Sequence, residues 1–180
     1  MKNLRYIGLL SLLVLSACNY RNHSSKAGNL HHGKHVVSTA ECKTSKVCSE
    51  FNTQFVANES NVVLFSFDSN VVQDRYHEII KEMADFISDA LRKNVDIRLK
   101  IEGHADERGT EDYNVQLSIR RAQSLRDLLV SYGVDEDLIS IVGLGAKNPI
   151  HVDGTEEMSW SRNRYGEIVL LPGNSAASGA

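Results

Sequence analysis

Residues 103–122 read GHADERGTEDYNVQLSIRRA, a run in which acids, an Arg-Gly pair and an Arg-Arg pair lie close together. Such a set can support hydrolysis, bind a metal, or hold a charged ligand. His104, Asp106 and Glu107 lack the i, i+4 histidine pair of a helical zinc site. The chain has no Gly-rich phosphate loop, no G-x-S-x-G elbow and no nucleophile–base constellation. We therefore expect no catalysis, no resident metal and no cofactor. What remains is capture. A rigid acid and a guanidinium a few ångströms apart grip a zwitterion, with Asp106 taking an ammonium and Arg121 taking a carboxylate in bidentate fashion. Each charged hydrogen bond contributes only about 1.5–3 kcal/mol net, so such a site selects its ligand more than it tightens on it. The competing reading of the same two residues is a structural salt bridge.

The elements that must position this pair are legible. VDIRLKIE alternates, with Val95, Ile97, Leu99 and Ile101 toward one face and Asp96, Arg98, Lys100 and Glu102 toward the other. This pattern predicts a strand with one face on a core and the other at least partly wet. The strand ends at Gly103, and a helix is expected from about Asp112 to Tyr132, so His104–Gly109 is a loop beside a helix N-terminus. Gly109 supplies the turn, being free to take positive φ. Glu111 and Asp112 offset the macrodipole in the first helical turn. At 100° per residue Asn114, Leu117 and Arg121 share one helix face. Arg120 points elsewhere, to solvent.

The remaining elements follow from the same periodicities. NVVLFSF (61–67) is β-branched and aromatic, a strand. Asn70 with Gln73 has the form of a capping box, opening a helix whose Tyr76, Ile79, Ile80, Met83, Phe86, Ile87 and Leu91 recur at helical steps. Strands are expected at 139–144 and 165–171, and residues 173–180 read as a loose tail. The order β-α-β-α-β-β predicts an α+β two-layer sandwich, a mixed four-stranded sheet with helices on one face, over residues 61–172.

The chain has 180 residues, 42% hydrophobic and 24% charged, with net charge −3. That suffices for one modest core and supplies no electrostatic reason to expect nucleic acid. Lys2 and Arg5 precede a short apolar run, Tyr6–Leu15, of secretory-signal length. The run ends in LSAC, which resembles the lipobox of bacterial lipoproteins; this implies a signal peptide at 1–17, lipidation at Cys18 and a membrane anchor. By the same resemblance, Asn19 after the cysteine points to the outer membrane. Residues 18–60 read as a polar tether, in which HHGKH (His31, His32, His35) is a solvated basic stretch rather than a metal site. Export places Cys42 and Cys48 in an oxidising compartment, where they form a disulfide if the backbone turns between them.

EGHADERGTEDYNVQLSIRRA closely resembles the peptidoglycan-binding motif of OmpA-like domains. Gly103, Asp106, Gly109, Asn114, Leu117, Arg121 and Ala122 all fall in register with it. The lipobox, tether and single C-terminal domain resemble the lipid-anchored branch of that family. The resemblance implies that Asp106 and Arg121 bind the amino and carboxylate groups at the D-centre of diaminopimelate in the peptidoglycan stem peptide, with Asn114 and Leu117 in support. FSFD matches a strand-end motif that puts Phe67 and Asp68 at the pocket rim. Asn163-Arg164 matches a late signature in part, Tyr165 standing where the family has a second arginine. TolB and other Tol proteins are the implied partners, and a protein-interaction module is the alternative to wall binding.

Overall fold

The structure, a computed structural model, describes residues 45–147, 149–150 and 156–173. The signal segment, Cys18, the histidines of HHGKH, Cys42 and most of the C-terminal tail lie outside the described residues.

Strand β1 (Val62–Leu64) is followed by a 3₁₀ turn (Asp74–Tyr76) that leads into α2 (His77–Arg92). Next come β2 (Ile97–Gly103), α3 (Glu111–Ser131) and β3 (Ile139–Gly143). A short helix α4 (Glu157–Asn163) precedes the last strand, β4 (Tyr165–Pro172). Ahead of them all stands α1 (Lys46–Phe51), which continues into a wider π-helical turn over Asn52–Val56. The sheet order is β1-β4-β2-β3. β2 runs parallel to β3, whereas β4 lies antiparallel to both β2 and β1, with Ile101 opposite Ile168 and Leu99 opposite Leu170. The expected α+β, mixed four-stranded architecture is therefore present, with α1 and α4 added to it.

Alternation sets the layers. Ile97, Leu99 and Ile101 of β2 join Ile168 and Leu170 of β4 in a core closed by Ile80, Met83, Ile87 of α2 and Ala122, Leu125, Leu129 of α3. The opposite face is wet at Arg98 but covered along β4, where Tyr165, Glu167 and Val169 are buried. Gly103 lets α3 approach β2 closely: a Cβ there would lie 1.9 Å from the Ser118 carbonyl oxygen. That approach brings the helix start against the strand end.

Three expectations need correction. The tether was expected to continue to residue 60, yet residues 46–56 are helical and packed. Cys48, Phe51 and Phe55 are buried, and the two phenylalanine rings meet Phe86 of α2 at centroid distances of 5.8 and 5.7 Å. Their i, i+3, i+7 spacing is a helical stripe that polar neighbours obscure. The helix expected from Asn70 starts later, because the supposed capping residues are otherwise engaged. Asn70 Nδ2 donates to Ser124 Oγ (3.0 Å) and Gln73 Nε2 to Ser66 Oγ (3.2 Å). β1 is likewise shorter than 61–67, since the Phe65 and Ser66 carbonyls accept from arginine side chains instead of continuing a ladder.

Candidate functional site

The loop between β2 and α3 is pinned from every side. His104 N donates to Tyr165 O, Ala105 N to Gly145 O, and Asn114 Nδ2 reaches back from α3 to Asp106 O (3.0 Å). Gly109 takes φ +97° to turn the chain into the helix. Thr110 then caps α3, its hydroxyl oxygen accepting from Tyr113 N at 3.2 Å. The loop is thus a shelf with few degrees of freedom.

A cavity of about 170 Å³ opens beside that shelf. Phe67, Asp68, Asp106, Asn114, Leu117 and Arg121, all six residues named from the sequence, line it together. Arg108, Tyr113 and Arg164 line it too, and sequence reasoning did not assign them a place there. In the sequence Arg108 is only the residue that precedes the turn glycine Gly109. Arg164 was visible only as a partial signature, and its approach to the loop is a tertiary event.

Arg121 is fully buried. Its Nε donates to Ser69 O (2.9 Å), Nη1 to His104 O (2.7 Å) and Nη2 to Ser66 O (3.2 Å). Backbone carbonyls thus hold the guanidinium, and among the described residues no carboxylate forms an ion pair with it. Burial, followed by repulsion from Arg164, lowers its pKa to about 10; Asp106 and Asp68 act in the opposite direction. It remains charged at neutral pH, uncompensated by a contacting anion.

Asp106 is also buried, but its carboxylate is well served. Oδ1 accepts from Arg108 N (3.1 Å) and Nε (3.2 Å), while Oδ2 accepts from Arg108 Nη2 (2.6 Å) and Arg164 Nη1 (3.1 Å). Burial works to raise its pKa, but hydrogen bonds from Arg108 and Arg164 outweigh this and hold the carboxyl below its ordinary range. The structural salt bridge between Asp106 and Arg121, the competing reading of this pair, is therefore not formed: the ion pairs of Asp106 are with Arg108 and Arg164. Arg164 is itself fixed by Phe65 O (3.1 Å) and Glu157 Oε1 (2.7 Å).

The rim is aromatic. Phe67 is 59% exposed, and the Arg108 guanidinium lies over the rings of Phe67 (4.2 Å) and Trp160 (4.1 Å). Asp68, with φ +54°, accepts a hydrogen bond from the Tyr113 hydroxyl, which raises the Tyr113 pKa. Arg120, expected in solvent, is half-buried with its guanidinium 5.9 Å from the Tyr113 ring centre. His104 and Tyr165 stack with centroids 3.9 Å apart, so Tyr165 fills space behind the shelf. Cys48 is disulfide-bonded.

The model of the OmpA family matches residues 64–164, the stretch that contains all the cavity-lining residues and strands β2 and β3. The chain belongs to the OmpA family. It is 29% identical to the peptidoglycan-associated lipoprotein of Brucella melitensis, over 89% of this chain and 87% of that protein. The protein of the same name from Pasteurella multocida is 30% identical over 86% of this chain and 88% of its own length. Among solved structures, the crystal structure of the peptidoglycan-associated lipoprotein from Burkholderia pseudomallei is 33% identical. It superposes with TM-score 0.57 over 62% of this chain and 90% of that one. These relatives are named for association with peptidoglycan, not for a reaction.

Proposed function

We propose that the chain is a peptidoglycan-associated lipoprotein whose cavity grips the zwitterionic D-centre of diaminopimelate in the wall's stem peptide. The observation that carries this reading is the buried Arg121, charged, hydrogen-bonded among the described residues to carbonyls rather than to a carboxylate, and opening into the same cavity as Asp106. A carboxylate ligand supplies the anion that this guanidinium lacks. Asp106 then meets the ammonium of the same ligand centre. Asn114 holds the Asp106 backbone, Leu117 forms the apolar floor, and Phe67 and Asp68 close the rim. The relatives' shared name supports the wall as the source of the ligand.

Calorimetric titration of the full-length protein in detergent with a meso-diaminopimelate stem peptide tests the reading. A matched lysine peptide, which lacks the D-centre carboxylate, serves as control. Wild type is expected to bind the first and not the second. Arg121→Lys, which keeps the charge but loses the fork, is expected to weaken binding by roughly ten-fold or more. Equal affinity for both peptides sinks the proposal.

Lipidation at Cys18 and an outer-membrane position complete this reading: acyl chains hold one end, and the cavity holds the wall. Incorporation of labelled palmitate that is lost in Cys18→Ser, together with membrane fractionation, tests both. Pairing of Cys42 with Cys48 follows from the same reading, since a lipidated Cys18 leaves Cys42 as the remaining partner in a chain of three cysteines. A role in a Tol system, with TolB as partner, draws support from the exposed apolar ring of Phe67 at the cavity rim. Copurification of TolB that is lost in Phe67→Ser is the check.

A further inference from the structure

The carboxylate expected to take the ligand's ammonium is already saturated. A carboxylate offers about four lone-pair sites. At Asp106 four donors occupy them: the backbone N, Nε and Nη2 of Arg108, and Nη1 of Arg164. An ammonium can enter only by displacing one of these. Arg164 is buried, and its other nitrogens are tied to Phe65 O and Glu157 Oε1, so it cannot swing away from Asp106 without giving up those bonds too. The backbone N of Arg108 belongs to the turn itself. The Arg108 side chain is different. It is 29% exposed, sits at the rim, and has other partners, namely Glu157 Oε2 at 3.2 Å from Nη1 and the rings of Phe67 and Trp160.

We propose that Arg108 is a built-in competitor for the ligand's ammonium. Resting on the zwitterion reading above, its guanidinium occupies Asp106 in the empty cavity and gives way to the ligand, sliding along Phe67 and Trp160 while keeping Glu157. The device keeps a buried carboxylate paired in the absence of ligand. It also raises selectivity, because only a ligand that offers both an ammonium for Asp106 and a carboxylate for Arg121 repays the displacement. Arg108 is on this account a specificity-determining residue, and its contribution to affinity is negative.

The sign of that contribution is the test. Full-length wild type, Arg108→Gln and Arg108→Lys are titrated calorimetrically with the diaminopimelate stem peptide and with a matched peptide lacking the D-centre amine. Arg108→Gln is expected to tighten the first peptide by about ten-fold and to leave the second nearly unchanged, with Arg108→Lys between wild type and Gln. Wild-type binding that stays equal or weakens in Arg108→Gln overturns the competitor and leaves the zwitterion site standing. Absence of binding in wild type and Arg108→Gln alike defeats the site and the competitor together. Binding in Arg108→Gln alone supports a competitor too strong for the isolated peptide to displace. A ligand-free readout is the carboxyl ¹³C titration of Asp106. Its midpoint is expected to rise in Arg108→Gln, and an unmoved midpoint overturns the pairing on which the proposal stands.

Discussion

Asp106 and Glu167 are buried to nearly the same degree, 4% and 5% exposed, yet their acidities move in opposite directions. At Asp106 the cost of burial is outweighed by hydrogen bonds from two arginines, and the carboxyl stays ionised below its usual range. At Glu167 burial is followed by a second cost, the Glu102 carboxylate directly across the β2–β4 ladder. Only the Asn61 amide (3.2 Å to Oε1) and the charge of Lys100 oppose these, and the pKa is pushed up to about 7. Lys100 is itself engaged with Glu102, 2.9 Å from Oε1. Burial therefore does not decide the charge of a carboxyl group in this fold; the donors that meet it do. The donors at Asp106 are concentrated at the cavity, whereas among the described residues Glu167 accepts a side-chain hydrogen bond from Asn61 alone.

The sharpest way to break this contrast is to remove a donor that serves Asp106 and not Glu167. Arg164→Met leaves the Phe65 carbonyl without its guanidinium donor and the buried Asp106 with Arg108 only, so a stability loss of about 3 kcal/mol is expected. Relief of repulsion at Arg121 offsets a part of it. Urea unfolding at neutral pH measures the loss, and a change within experimental error would mean that Arg108 alone suffices. The Asp106 titration should also move toward Glu167-like behaviour.

The second prediction works from the other side. Glu167 carries a folded pKa of about 7 against an ordinary 4.5, so between these values the unfolded chain releases a proton that the folded chain keeps. Stability therefore falls as pH rises from about 4.5 to about 7 and is level above, with a drop of about 3 kcal/mol at most. Asp106 has the opposite sign: its contribution is present above the ordinary carboxylate pKa and is lost as pH falls through its depressed value. Glu167→Gln should flatten the limb between pH 4.5 and 7 without touching the acid limb. If the variant keeps the wild-type slope there, the assignment to Glu167 is wrong.

How far the sequence foretold these features depends on whether a feature is periodic or tertiary. The alternation of Val95–Glu102 announced both the strand and its core face, and helical arithmetic put Asn114, Leu117 and Arg121 together. All three line the cavity. Such regularities are local, and local spacing survives folding. The partners of Asp106 were not legible in this way. Arg121 was the natural candidate by helix geometry, but carbonyls of the β1–α2 loop claim it, and a loop's carbonyl directions have no sequence signature. Arg164 arrives from 58 positions along the chain. Helix α1 is an intermediate case: Cys48, Phe51 and Phe55 do carry helical spacing, but the stripe is short and sits in a run whose composition argues for a solvated linker. The late start of α2 belongs with the loops, since Asn70 and Gln73 have cap-forming side chains whose bonds go to Ser124 and Ser66.

The smallest expected effect probes whether the two carboxyl sites are independent. The ring of Trp160 faces Arg108, not Asp106, so it reaches the carboxylate only through its influence on the guanidinium. Trp160→Leu removes one of the two rings over that cation and is expected to cost about 0.5–1 kcal/mol of stability. It also deletes the indole hydrogen bond to Glu107, whose exposed carboxylate is readily hydrated and adds little. A more mobile Arg108 donates less well, so the Asp106 midpoint should rise slightly, by less than in Arg108→Gln. Glu167 shares none of these contacts, and its midpoint should stay where it is. ¹³C titration of both carboxyl groups in one variant gives the two answers together. A shift at Asp106 alone supports independent donor control at each acid. A matching shift at Glu167 would mean that the shelf, running from Gly103 through His104 to the cavity, transmits charge between the two faces. The contrast between the sites would then be a property of the sheet as a whole.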